Sequence, residues 1–496
     1  LRKLEYRGYD SSGICIANNN KLYTEKAAGK LKELGSILAV SPLKGSTGIA
    51  HTRWATHGEP TKKNAHPHSS NDGNFSVVHN GIIENFAELK KVLISEGTTF
   101  LSDTDTEVIV HLVAKNYSGN LREAVLHTIA QLEGAFGIAV VCAQEPNTLI
   151  GARKGSPLVV GISEDGYYLG SDALALGSEA KEMIYLDDND VVELKGDSYK
   201  IVNLANAEVN RKIENVDQEM QNISKGDFDH FMLKEIYEQV DTIKNAMRGR
   251  LLMDQGSARL DGLNMVLPEL RNIKRIIIIG CGTSFYAGLV GEYVMENLSG
   301  ISVEVEYASE FRYRNPIVEP DTLVFAISQS GETADTLAAL REAKIKGATV
   351  LGICNTVGST IARETDGGIY LHAGREIGVA STKAFTSQVT VLIMLSLMLG
   401  RMRRIQPERG IEICEALIQI PSLIAETLKQ NDKIREIANE YSDASNFLYL
   451  GRGYNYPVAL EGALKLKEIS YLHAEGYPAA EMKHGPIALV DENMPT

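Results

Sequence analysis

The C-terminal half of the chain repeats itself at a spacing of 171 residues. Without a gap, the apolar run 276–279 aligns with 447–450. The residues that follow also align: Gly280 with Gly451, Gly282 with Gly453, Gly291 with Gly462, Ala308 with Ala479 and Glu310 with Glu481. Such self-similarity predicts two copies of one domain. The first copy runs from about 275 to 400, and only about 50 residues belong to the second, so we expect the second copy to be incomplete.

The two halves of the chain have different hydrophobic patterns. From residue 275, apolar strands alternate with helical stretches, and each strand ends in a loop of Gly, Ser or Thr. This pattern is typical of an α/β fold with a parallel sheet and with sites at the carboxyl ends of its strands. Residues 1–200 instead show apolar runs between glycine turns, with helices predicted near 85–95 and 106–115. That pattern predicts antiparallel sheets with packed helices. A polar linker is predicted over 204–230, and a helix over 231–252.

Size and charge narrow the class of protein. At 496 residues the chain is too long for a single core. Its net charge of −14 argues against nucleic acid or an anionic membrane as the main partner. The longest apolar run, 391–399, is far shorter than the ~20 residues that span a bilayer, and no signal peptide is recognisable. The five cysteines lack paired spacing, which favours neither zinc nor disulfides and fits a cytoplasmic protein.

Two loops in the C-terminal half are candidate phosphate sites. Ser-Gln-Ser-Gly-Glu-Thr, at 328–333, follows an apolar strand and precedes a helix that opens at Ala334. Backbone N–H groups at a helix start, together with hydroxyls, can bind phosphate. No Walker lysine is present, which disfavours a nucleotide triphosphate. A serine-rich helix cap is the alternative, but Cys-Gly-Thr-Ser, at 281–284, has the same placement, and two such loops favour a sugar phosphate.

A dinucleotide site is a further alternative for the first of these strands. Gly280 and Gly282 follow the strand, and Glu304 and Glu306 lie where a ribose-binding acid is expected. Phe285, however, takes the place of the third glycine of the GxGxxG pattern, which weakens this interpretation.

The stretch 460–469 carries a candidate acid–base group. Glu461, Lys465 and Glu468 recur at helical spacing and share one helix face. The face is either an exposed ion-paired surface or a place where a carboxylate and a lysine move a proton beside a carbonyl. His484, in a predicted tight turn, is likewise either a loop histidine or an acid–base group.

The N-terminal half offers groups suited to an amino acid. Arg53 could bind a carboxylate through two hydrogen bonds, and Asp105 could bind an amino group. Asn80 and Gly81 could donate to an oxyanion, or they could form a plain hairpin turn. Thr104 and a glutamate three residues later fit a capping box. Four histidines lie nearby in the sequence: His51, His57, His66 and His79. They lack the spacing of metal ligands, so no zinc site is predicted.

Taken together, these motifs resemble the glutamine–fructose-6-phosphate aminotransferase (isomerizing) family. The segments at 6–11, 51–58, 79–81 and 104–106 resemble its class-II glutamine amidotransferase domain. Those at 281–284, 328–333 and 378–383 resemble its first sugar-isomerase (SIS) domain, and 461–468 with 483–485 its second. The resemblance implies an α+β N-terminal-nucleophile-type glutaminase domain with four αββα layers, followed by two α/β SIS domains with parallel sheets. The implied bounds are 1–203 for the amidotransferase domain, 204–230 for the linker, 231–430 for the first SIS domain and 431–496 for the second, truncated one.

The resemblance also implies roles for single residues. In the glutamine site, Arg53 would bind the carboxylate and Asp105 the amino group, Asn80 and Gly81 would form the oxyanion hole, and Trp54 would gate an ammonia channel. The same site would include Thr56, His57 and His66. The sugar phosphate would contact Thr283, Ser284, Ser328, Gln329, Ser330 and Thr333, and the sugar would contact Val379 and Ser381. His484 would open the ring, Glu468 would move the proton between C1 and C2, and Lys465 would assist.

Further expectations concern the reaction and the partners. The family transfers ammonia from L-glutamine to D-fructose 6-phosphate, giving D-glucosamine 6-phosphate and L-glutamate for hexosamine (UDP-GlcNAc) biosynthesis. It needs no metal or organic cofactor, and a homodimer is expected. Its nucleophile is an N-terminal cysteine that we expect upstream of Leu1, so the chain as given should not hydrolyse glutamine; Cys15 is no substitute, because it sits within a strand-like run.

Three alternatives from other classes stay open on sequence. A non-enzymatic SIS sugar-phosphate sensor would have no use for Arg53, Asn80 and Asp105. A different class-II amidotransferase would continue into a phosphoribosyltransferase or synthetase domain. A deglycase of sugar-amine phosphates would lack the first domain.

Overall fold

The protein divides into two compact units, Leu1–Ser224 and Lys225–Thr496. The computed structural model describes residues 1, 10–53, 59, 61–176, 179–196, 198–215, 225–491 and 494–496. The boundary between the units lies inside the segment predicted as a linker.

The first unit is built from antiparallel strands and a few helices. Its strands are β1 (Ser11–Asn18), β2 (Lys21–Ala28), β3 (Thr47–Arg53), β4 (His68–Ser69), β5 (Phe75–Ile83), β6 (Gly134–Cys142), β7 (Thr148–Lys154), β8 (Val159–Ser163), β9 (Gly166–Gly170), β10 (Glu182–Tyr185), β11 (Val191–Lys195), β12 (Ser198–Val202) and β13 (Ile213–Asn215). Its helices are α1 (Leu31–Val40), α2 (Phe86–Ser95), α3 (Glu107–Asn116), α4 (Leu121–Ile129) and α5 (Ala173–Leu176). The strands form three sheets, ordered β12-β11-β7-β6-β5-β4, β13-β10-β8-β9 and β2-β1-β3.

The six-stranded sheet has a core on each face. On β6, Ile138 and Val140 pack towards helices α3 and α4, whereas Val141 packs with Cys15 and Ile49 of the three-stranded sheet. This division follows from the alternation of side chains along a strand. Helix α3 is buried over most of its surface because it lies between the sheet and its neighbours α2 and α4. The helices predicted near 85–95 and 106–115 are confirmed as α2 and α3.

The predicted linker begins later than expected. Strand β13, inside the predicted range 204–230, pairs antiparallel with β10, for example Ile213 with Ile184. The first unit therefore extends past residue 203. The sequence around β13 is polar because β13 is an exposed edge strand. At three residues, the strand is too short for an alternation of apolar and polar residues to be recognised.

The second unit is an α/β structure around a parallel sheet. The sheet strands are β16 (Arg275–Gly280), β17 (Ser302–Tyr307), β18 (Thr322–Ser328), β19 (Thr349–Cys354) and β20 (Gly367–Tyr370), ordered β17-β16-β18-β19-β20, and β14 (Leu251–Leu252) pairs separately with β15 (Ser257–Ala258). The helices are α6 (Phe231–Met247), α7 (Leu267–Asn272), α8 (Thr283–Ser299), α9 (Ala308–Tyr313), α10 (Ala334–Ile345), α11 (Thr360–Glu364), α12 (Lys383–Arg403), α13 (Pro407–Leu428), α14 (Asn431–Glu440) and α15 (Asn455–Ser470). Both sheet faces are apolar: Ile276 and Ile278 face one core cluster, and Ile277 and Ile279 face the other. Double-sided burial explains the continuous apolar runs of the sequence.

The internal repeat is confirmed by the elements themselves. Strand β21 (Asn446–Gly451) starts and ends 171 residues after β16, and β22 (His473–Pro478) stands in the same relation to β17. Helix α15 connects β21 to β22 as α8 connects β16 to β17, and both strand pairs are parallel. The second copy thus begins with the same strand–helix–strand unit.

Helices α6 and α12 differ from what their sequences predict. The helix predicted over 231–252 ends at Met247, and Leu251–Leu252 then forms β14 after a turn with Gly249 at a φ of +71°. By length and composition alone, helix α12 could cross a membrane. The apolar run 391–399 is only part of this helix, so the sequence pattern did not reveal its full apolar length. It is a core helix, since 78% of its apolar window is buried inside the structure, against α6 and α8.

Candidate active site

A cavity of about 530 Å³ in the first unit is lined by residues predicted to bind glutamine. Arg53 ends strand β3, Asn80 and Gly81 lie on β5, and Asp105 precedes helix α3. His66 also lines the cavity. The fold therefore brings together groups that are up to 52 positions apart in sequence, counted from Arg53 to Asp105. Trp54, Thr56 and His57 lie outside the described residues.

Arg53 and Asp105 form the charged part of this cavity. Both are buried, each with 5% of its surface exposed. Burial lowers the pKa of Arg53, and the Asp10 and Asp105 carboxylates oppose that shift. Asp105 Oδ2 accepts a hydrogen bond of 2.8 Å from the Ile83 N–H, which fixes the carboxylate at the cavity. A cation and an anion held side by side can bind the two charged ends of an amino acid.

Asn80 and Gly81 do not form a hairpin turn. They lie within β5, opposite Gly137 and Phe136 of β6, so the hairpin alternative is wrong. Gly81 has a φ of +130°, and a Cβ there would lie 2.0 Å from the Ala135 carbonyl oxygen. Only glycine fits this position, because it lacks a Cβ.

The capping box predicted for Thr104 and Glu107 is wrong. Helix α3 begins at Glu107, and its N-cap residue is Thr106, which makes no side-chain cap hydrogen bond. Glu107 accepts hydrogen bonds from the backbone N–H groups of Leu101 and Ser102, at 2.7 and 2.6 Å. The glutamate thus reaches back further than a capping box requires and fixes the loop before Asp105.

Histidines surround Asn80 and are joined by hydrogen bonds. His51 Nε2 lies 2.7 Å from Asn80 Oδ1, and His51 Nδ1 lies 3.1 Å from His66 Nδ1. Thr106 Oγ1 lies 3.0 Å from His66 Nε2 and 2.9 Å from His79 Nδ1. Within the described ranges, no group of three or more His, Cys, Asp or Glu residues is arranged to hold a metal ion. Sequence reasoning missed this network because no local spacing links its members.

In the second unit, the Ser-Gln-Ser-Gly-Glu-Thr loop follows the carboxyl end of β18. Ser328 Oγ lies 2.9 Å from Thr333 Oγ1 and accepts the Gly331 N–H at 3.0 Å. Ser330 Oγ accepts the Glu332 N–H at 3.1 Å. Thr333 precedes helix α10 but makes no side-chain cap hydrogen bond. Two hydroxyls, of Ser328 and Thr333, are in contact at the start of a helix, and Ser330 lies in the same loop, which is a suitable arrangement for phosphate.

The loop at 281–284 connects the two copies of the repeat. Thr283 Oγ1 donates to Glu461 Oε1 at 3.0 Å and accepts from Lys465 Nζ at 3.0 Å. Ser284 Oγ accepts a hydrogen bond of 3.0 Å from Nε2 of Gln388, a buried residue of α12 that sequence reasoning missed. The hydroxyl of Thr283 is thus engaged with the second copy, and that of Ser284 with the core.

Helix α15 directs its charged face towards these residues. Lys465 Nζ lies 3.2 Å from Glu461 Oε1 and 2.7 Å from Glu468 Oε2. Glu461 is buried, which raises its pKa to about 7, against the effect of Lys465. This is not a fully exposed ion-paired face, although Glu468 keeps about a third of its side-chain surface exposed. His484 is exposed at the end of a 3₁₀ helix, Ala479–His484, and within the described residues no hydrogen bond joins it to Glu468 or Lys465.

Two buried glutamates fix the loop that carries Val379 and Ser381. Glu376 accepts from the Ser381 hydroxyl at 2.7 Å and from the Thr382 N–H at 2.7 Å. Glu235 of α6 accepts from the backbone N–H groups of residues 377 and 378, at 2.5 and 3.0 Å. Sequence reasoning missed both glutamates, because each is separated from any recognisable motif.

The dinucleotide alternative does not fit this geometry. Glu304 pairs with Arg275 at 2.5 Å, and Glu306 pairs with Arg314, so neither carboxylate is available to a ribose. Phe285 stacks on Tyr307 with a centroid distance of 3.7 Å, in the region where a dinucleotide fold needs its third glycine.

Comparisons with known proteins agree with the two-unit arrangement. A glutamine amidotransferase domain model matches residues 12–227, and an SIS domain model matches 269–398 and again 440–496. The match to both models disfavours a sensor or deglycase built from SIS domains alone.

Named relatives extend over the whole chain. Glutamine–fructose-6-phosphate aminotransferase (isomerizing) of Chlorobaculum tepidum is 52% identical to this chain, and the alignment covers 100% of this chain and 82% of the relative. The enzyme of the same name from Bacteroides thetaiotaomicron is 50% identical, again over 100% of this chain and 82% of its own length. The C-terminal domain of glucosamine–fructose-6-phosphate aminotransferase from Francisella tularensis, a solved structure, is 44% identical with a TM-score of 0.53, over 55% of this chain and 76% of that one. With both domain models matched in this order and half of its residues identical over its whole length, this chain belongs to the family of glutamine–fructose-6-phosphate aminotransferases (isomerizing).

Proposed function

We propose that this protein transfers ammonia from L-glutamine to D-fructose 6-phosphate, giving L-glutamate and D-glucosamine 6-phosphate for hexosamine biosynthesis. The meeting of Arg53, Asn80 and Asp105 at one cavity carries the proposal, because it supplies a cation, an amide and an anion for an amino acid. A sugar-phosphate enzyme without glutamine chemistry has no use for this set.

In the first unit, glutamine binds through its charged end and reacts at its side-chain amide. Arg53 binds the α-carboxylate, and Asp105, fixed by the Ile83 N–H, binds the α-amino group. Asn80 and Gly81 donate to the oxyanion that forms when the side-chain amide is attacked. Such donors lower the barrier because they stabilise charge that develops only in the transition state. The proposed parts of Trp54, Thr56 and His57 in this site remain predictions.

In the second unit, the sugar phosphate binds to neutral donors. Ser328, Ser330 and Thr333 surround the phosphate together with the backbone N–H groups of their loop, supported by the arrangement of their hydroxyls. Gln329, Thr283 and Ser284 complete this group, and Val379 and Ser381 contact the sugar. Hydrogen bonds to a charged group are stronger than those between neutral groups, so a few well-placed donors suffice.

The isomerisation is assigned to helix α15. Glu468 moves the proton between C1 and C2, and Lys465, which lies 2.7 Å from its carboxylate, assists by stabilising negative charge. His484 opens the sugar ring. Its exposed position at the end of the 3₁₀ helix is compatible with contact to a bound sugar, and the assignment rests on its match to the family motif.

Several properties of the whole molecule belong to the same proposal. The first unit is proposed to be an N-terminal-nucleophile-type domain with αββα layers, supported by helices on one face of the six-stranded sheet and two further sheets on the other. We propose that it ends near Ser224 rather than at 203, and that the first SIS domain begins with α6. A homodimer in the cytoplasm is proposed from the family, with small-molecule substrates and no nucleic acid.

A coupled assay on the full-length protein tests the proposed reaction. L-Glutamate and D-glucosamine 6-phosphate are measured together after incubation with L-glutamine and D-fructose 6-phosphate. The proposal expects both products in equal amounts. Glutamate without the amino sugar would support a different amidotransferase, and binding of the sugar phosphate without either product would support a non-enzymatic SIS protein.

A further inference from the structure

An unbroken chain of hydrogen bonds leads to Asn80 through three histidines and a threonine. It runs from Asn80 Oδ1 to His51 at 2.7 Å, from His51 to His66 at 3.1 Å, and from His66 to Thr106 at 3.0 Å. His79 Nδ1 joins the same threonine hydroxyl at 2.9 Å. The members come from β3, β5, the loop before β4 and the cap of α3, so only the tertiary fold assembles the chain.

The surroundings keep these imidazoles uncharged. Burial lowers the pKa of His51 to about 4 and the pKa of His66 well below its ordinary value, and the positive charge of Arg53 adds to both effects. Burial also lowers the pKa of His79, against the effect of Asp105. A neutral imidazole has one N–H donor and one acceptor nitrogen. Each hydrogen bond in the chain therefore determines the direction of the next.

The donor and acceptor of each hydrogen bond are set at Asn80, where this chain of hydrogen bonds ends. Asn80 Oδ1 can only accept, so His51 donates from Nε2 and must accept at Nδ1. His66 then donates from Nδ1 and accepts the Thr106 hydroxyl hydrogen at Nε2, which at 3.0 Å is nearer to that hydroxyl than its other acceptor, Asp105 Oδ1, at 3.5 Å. Thr106 in turn accepts from His79 Nδ1–H, and the Nε2 of His79, which is buried without a hydrogen-bond partner in the described part of the chain, is an acceptor.

This order decides which end of the Asn80 amide meets a ligand. With Oδ1 bound to His51, the two N–H hydrogens of the amide remain for the cavity that Asn80 lines. We propose that His51, His66 and Thr106 are positioning residues that hold Asn80 with its N–H, rather than its oxygen, directed at the oxyanion formed from glutamine. The inference rests on the proposed function of this cavity as the glutamine site.

Rotating the Asn80 amide by a half-turn, so that its nitrogen and oxygen exchange places, admits one opposite proton order. In it, Asn80 would donate to His51, and His79 would donate from Nε2 towards the nearby Ala135 carbonyl, a contact that favours the charged form of His79 but is not a hydrogen bond in the structure. The Asn80 oxygen would then face the cavity and would repel an oxyanion. The two orders differ in the tautomer of every histidine in the chain, and that difference is measurable.

Nitrogen-15 NMR of histidine-labelled protein distinguishes the two orders directly. We expect His51 as the Nε2–H tautomer and both His66 and His79 as Nδ1–H tautomers at neutral pH, with each signal assigned by replacing that histidine. A merely structural packing role does not require this pattern. The opposite set of tautomers would overturn the inference.

Kinetics test the functional consequence in enzyme that is active in glutamine hydrolysis. Thr106→Val keeps the shape of the side chain but breaks the chain of hydrogen bonds. The kcat should therefore fall by roughly tenfold or more, but by less than the ~10²–10³-fold loss that follows removal of an oxyanion donor. KM for glutamine should change little, because Arg53 and Asp105 bind the charged end. Thr106→Ser restores the hydroxyl and should recover most of the rate. The matched control is Thr128→Val, which removes another fully buried hydroxyl of the same unit, one that donates to the Ala124 carbonyl instead.

A double-mutant cycle separates positioning from general damage. If Thr106 acts through Asn80, Thr106→Val should cost nothing further once Asn80→Ala is present. An equal cost in both backgrounds, or no cost in the parent, would overturn the inference while leaving the glutamine site intact. If Asn80→Ala alone hydrolyses glutamine at the parental rate, the proposed oxyanion role itself is wrong, which is a distinguishable failure.

Discussion

Gln388 donates a hydrogen bond from its Nε2 to Ser284 Oγ at 3.0 Å, between two buried helices of the second unit. Gln388 is fully buried, and Ser284 is 7% exposed. A hydroxyl that accepts this bond keeps its own hydrogen for a different acceptor. In the proposed site that acceptor is the phosphate of the sugar. We therefore propose that Gln388 orients the Ser284 hydroxyl towards the phosphate.

Replacing Gln388 by leucine should separate binding from stability. The Oε1 of Gln388 is buried without a partner among the described residues, so Gln388→Leu removes an unsatisfied atom along with one hydrogen bond. The free energy of unfolding should change by no more than about 1 kcal/mol, whereas the Kd for fructose 6-phosphate should rise several-fold to about tenfold, because hydrogen bonds to charged groups contribute ~1.5–3 kcal/mol. Calorimetric titration and thermal unfolding measure the two quantities. Ser387→Ala removes a fully buried hydroxyl, one position earlier, that has no hydrogen-bond partner among the described residues; it is the control and should leave the Kd unchanged.

The serine loop should bind phosphate through neutral donors. Ser330→Ala combined with Thr333→Ala removes two hydroxyls, each worth about 1.5–3 kcal/mol towards a charged group, so the Kd for fructose 6-phosphate should rise by at least tenfold. Glutamine affinity measured without the sugar should stay the same. The comparison variant is Thr365→Ala, whose hydroxyl donates to the Ile361 carbonyl elsewhere in the same unit. An unaltered sugar-phosphate Kd in the double variant would show that the loop serves only the start of α10.

Glu235 should make the loop of residues 377–382, which is proposed to contact the sugar, sensitive to pH. Burial raises the pKa of Glu235 to about 7, with the Ile377 N–H opposing and Glu376 adding to the shift. The folded state thus binds a proton more tightly than the unfolded state, so this stabilisation is complete below the ordinary glutamate pKa and is lost as pH rises towards about 7. Hydrogen exchange at the backbone amides of residues 377 and 378, corrected for intrinsic rates, should show lower protection near neutral pH than in mild acid. In Glu235→Gln that pH dependence should disappear; a variant with the parental pH dependence would exclude Glu235 as its source.

Local patterns predicted the fold better than they predicted the contacts of the site. The 171-residue repeat was recognisable because buried parallel strands need continuous apolar runs, and the same requirement applies to both copies. Single site residues came from motifs that keep ligand groups close together in sequence. The limits of helices and strands were harder to predict, as with α6, whose apolar pattern continues past the turn at Gly249 into β14.

The supporting side chains could not be found in this way. His66 and Thr106 are 40 positions apart, Ser284 and Gln388 are 104 apart, and Glu235 is 142 positions from the Ile377 N–H that it binds. Glu107 illustrates the converse error: its spacing from Thr104 fits a capping box, but two other backbone N–H groups lie closer to its carboxylate. A sequence motif identifies the groups available for contact, and the tertiary fold decides which of them are used.

The last prediction separates the isomerisation from glutamine hydrolysis. Glu468 is 2.7 Å from Lys465, and its helix face could still serve only as an ion-paired surface. Loss of a surface carboxylate should change stability by within ~0.5 kcal/mol and leave turnover intact. Loss of a general base should lower the rate of the step by roughly 10²–10⁴-fold. The matched control is Glu426→Gln, because Glu426 contacts Lys429 at the same helical spacing, at 2.5 Å, with both side chains about two-thirds exposed.

Both products are measured side by side on the two variants in active enzyme. Glu468→Gln should lose glucosamine 6-phosphate formation while glutamate release continues, because glutamine is hydrolysed in the first unit by different groups. Glu426→Gln should keep both products at the parental rate, which shows that neutralising a glutamate beside a lysine is harmless by itself. Loss of both products in Glu468→Gln would indicate a folding defect. Loss of glucosamine 6-phosphate alone is assigned to chemistry when the melting temperature of the variant is unchanged. If both products form at the parental rate, Glu468 is not the base, and His484, exposed at the end of its 3₁₀ helix, becomes the group to replace next.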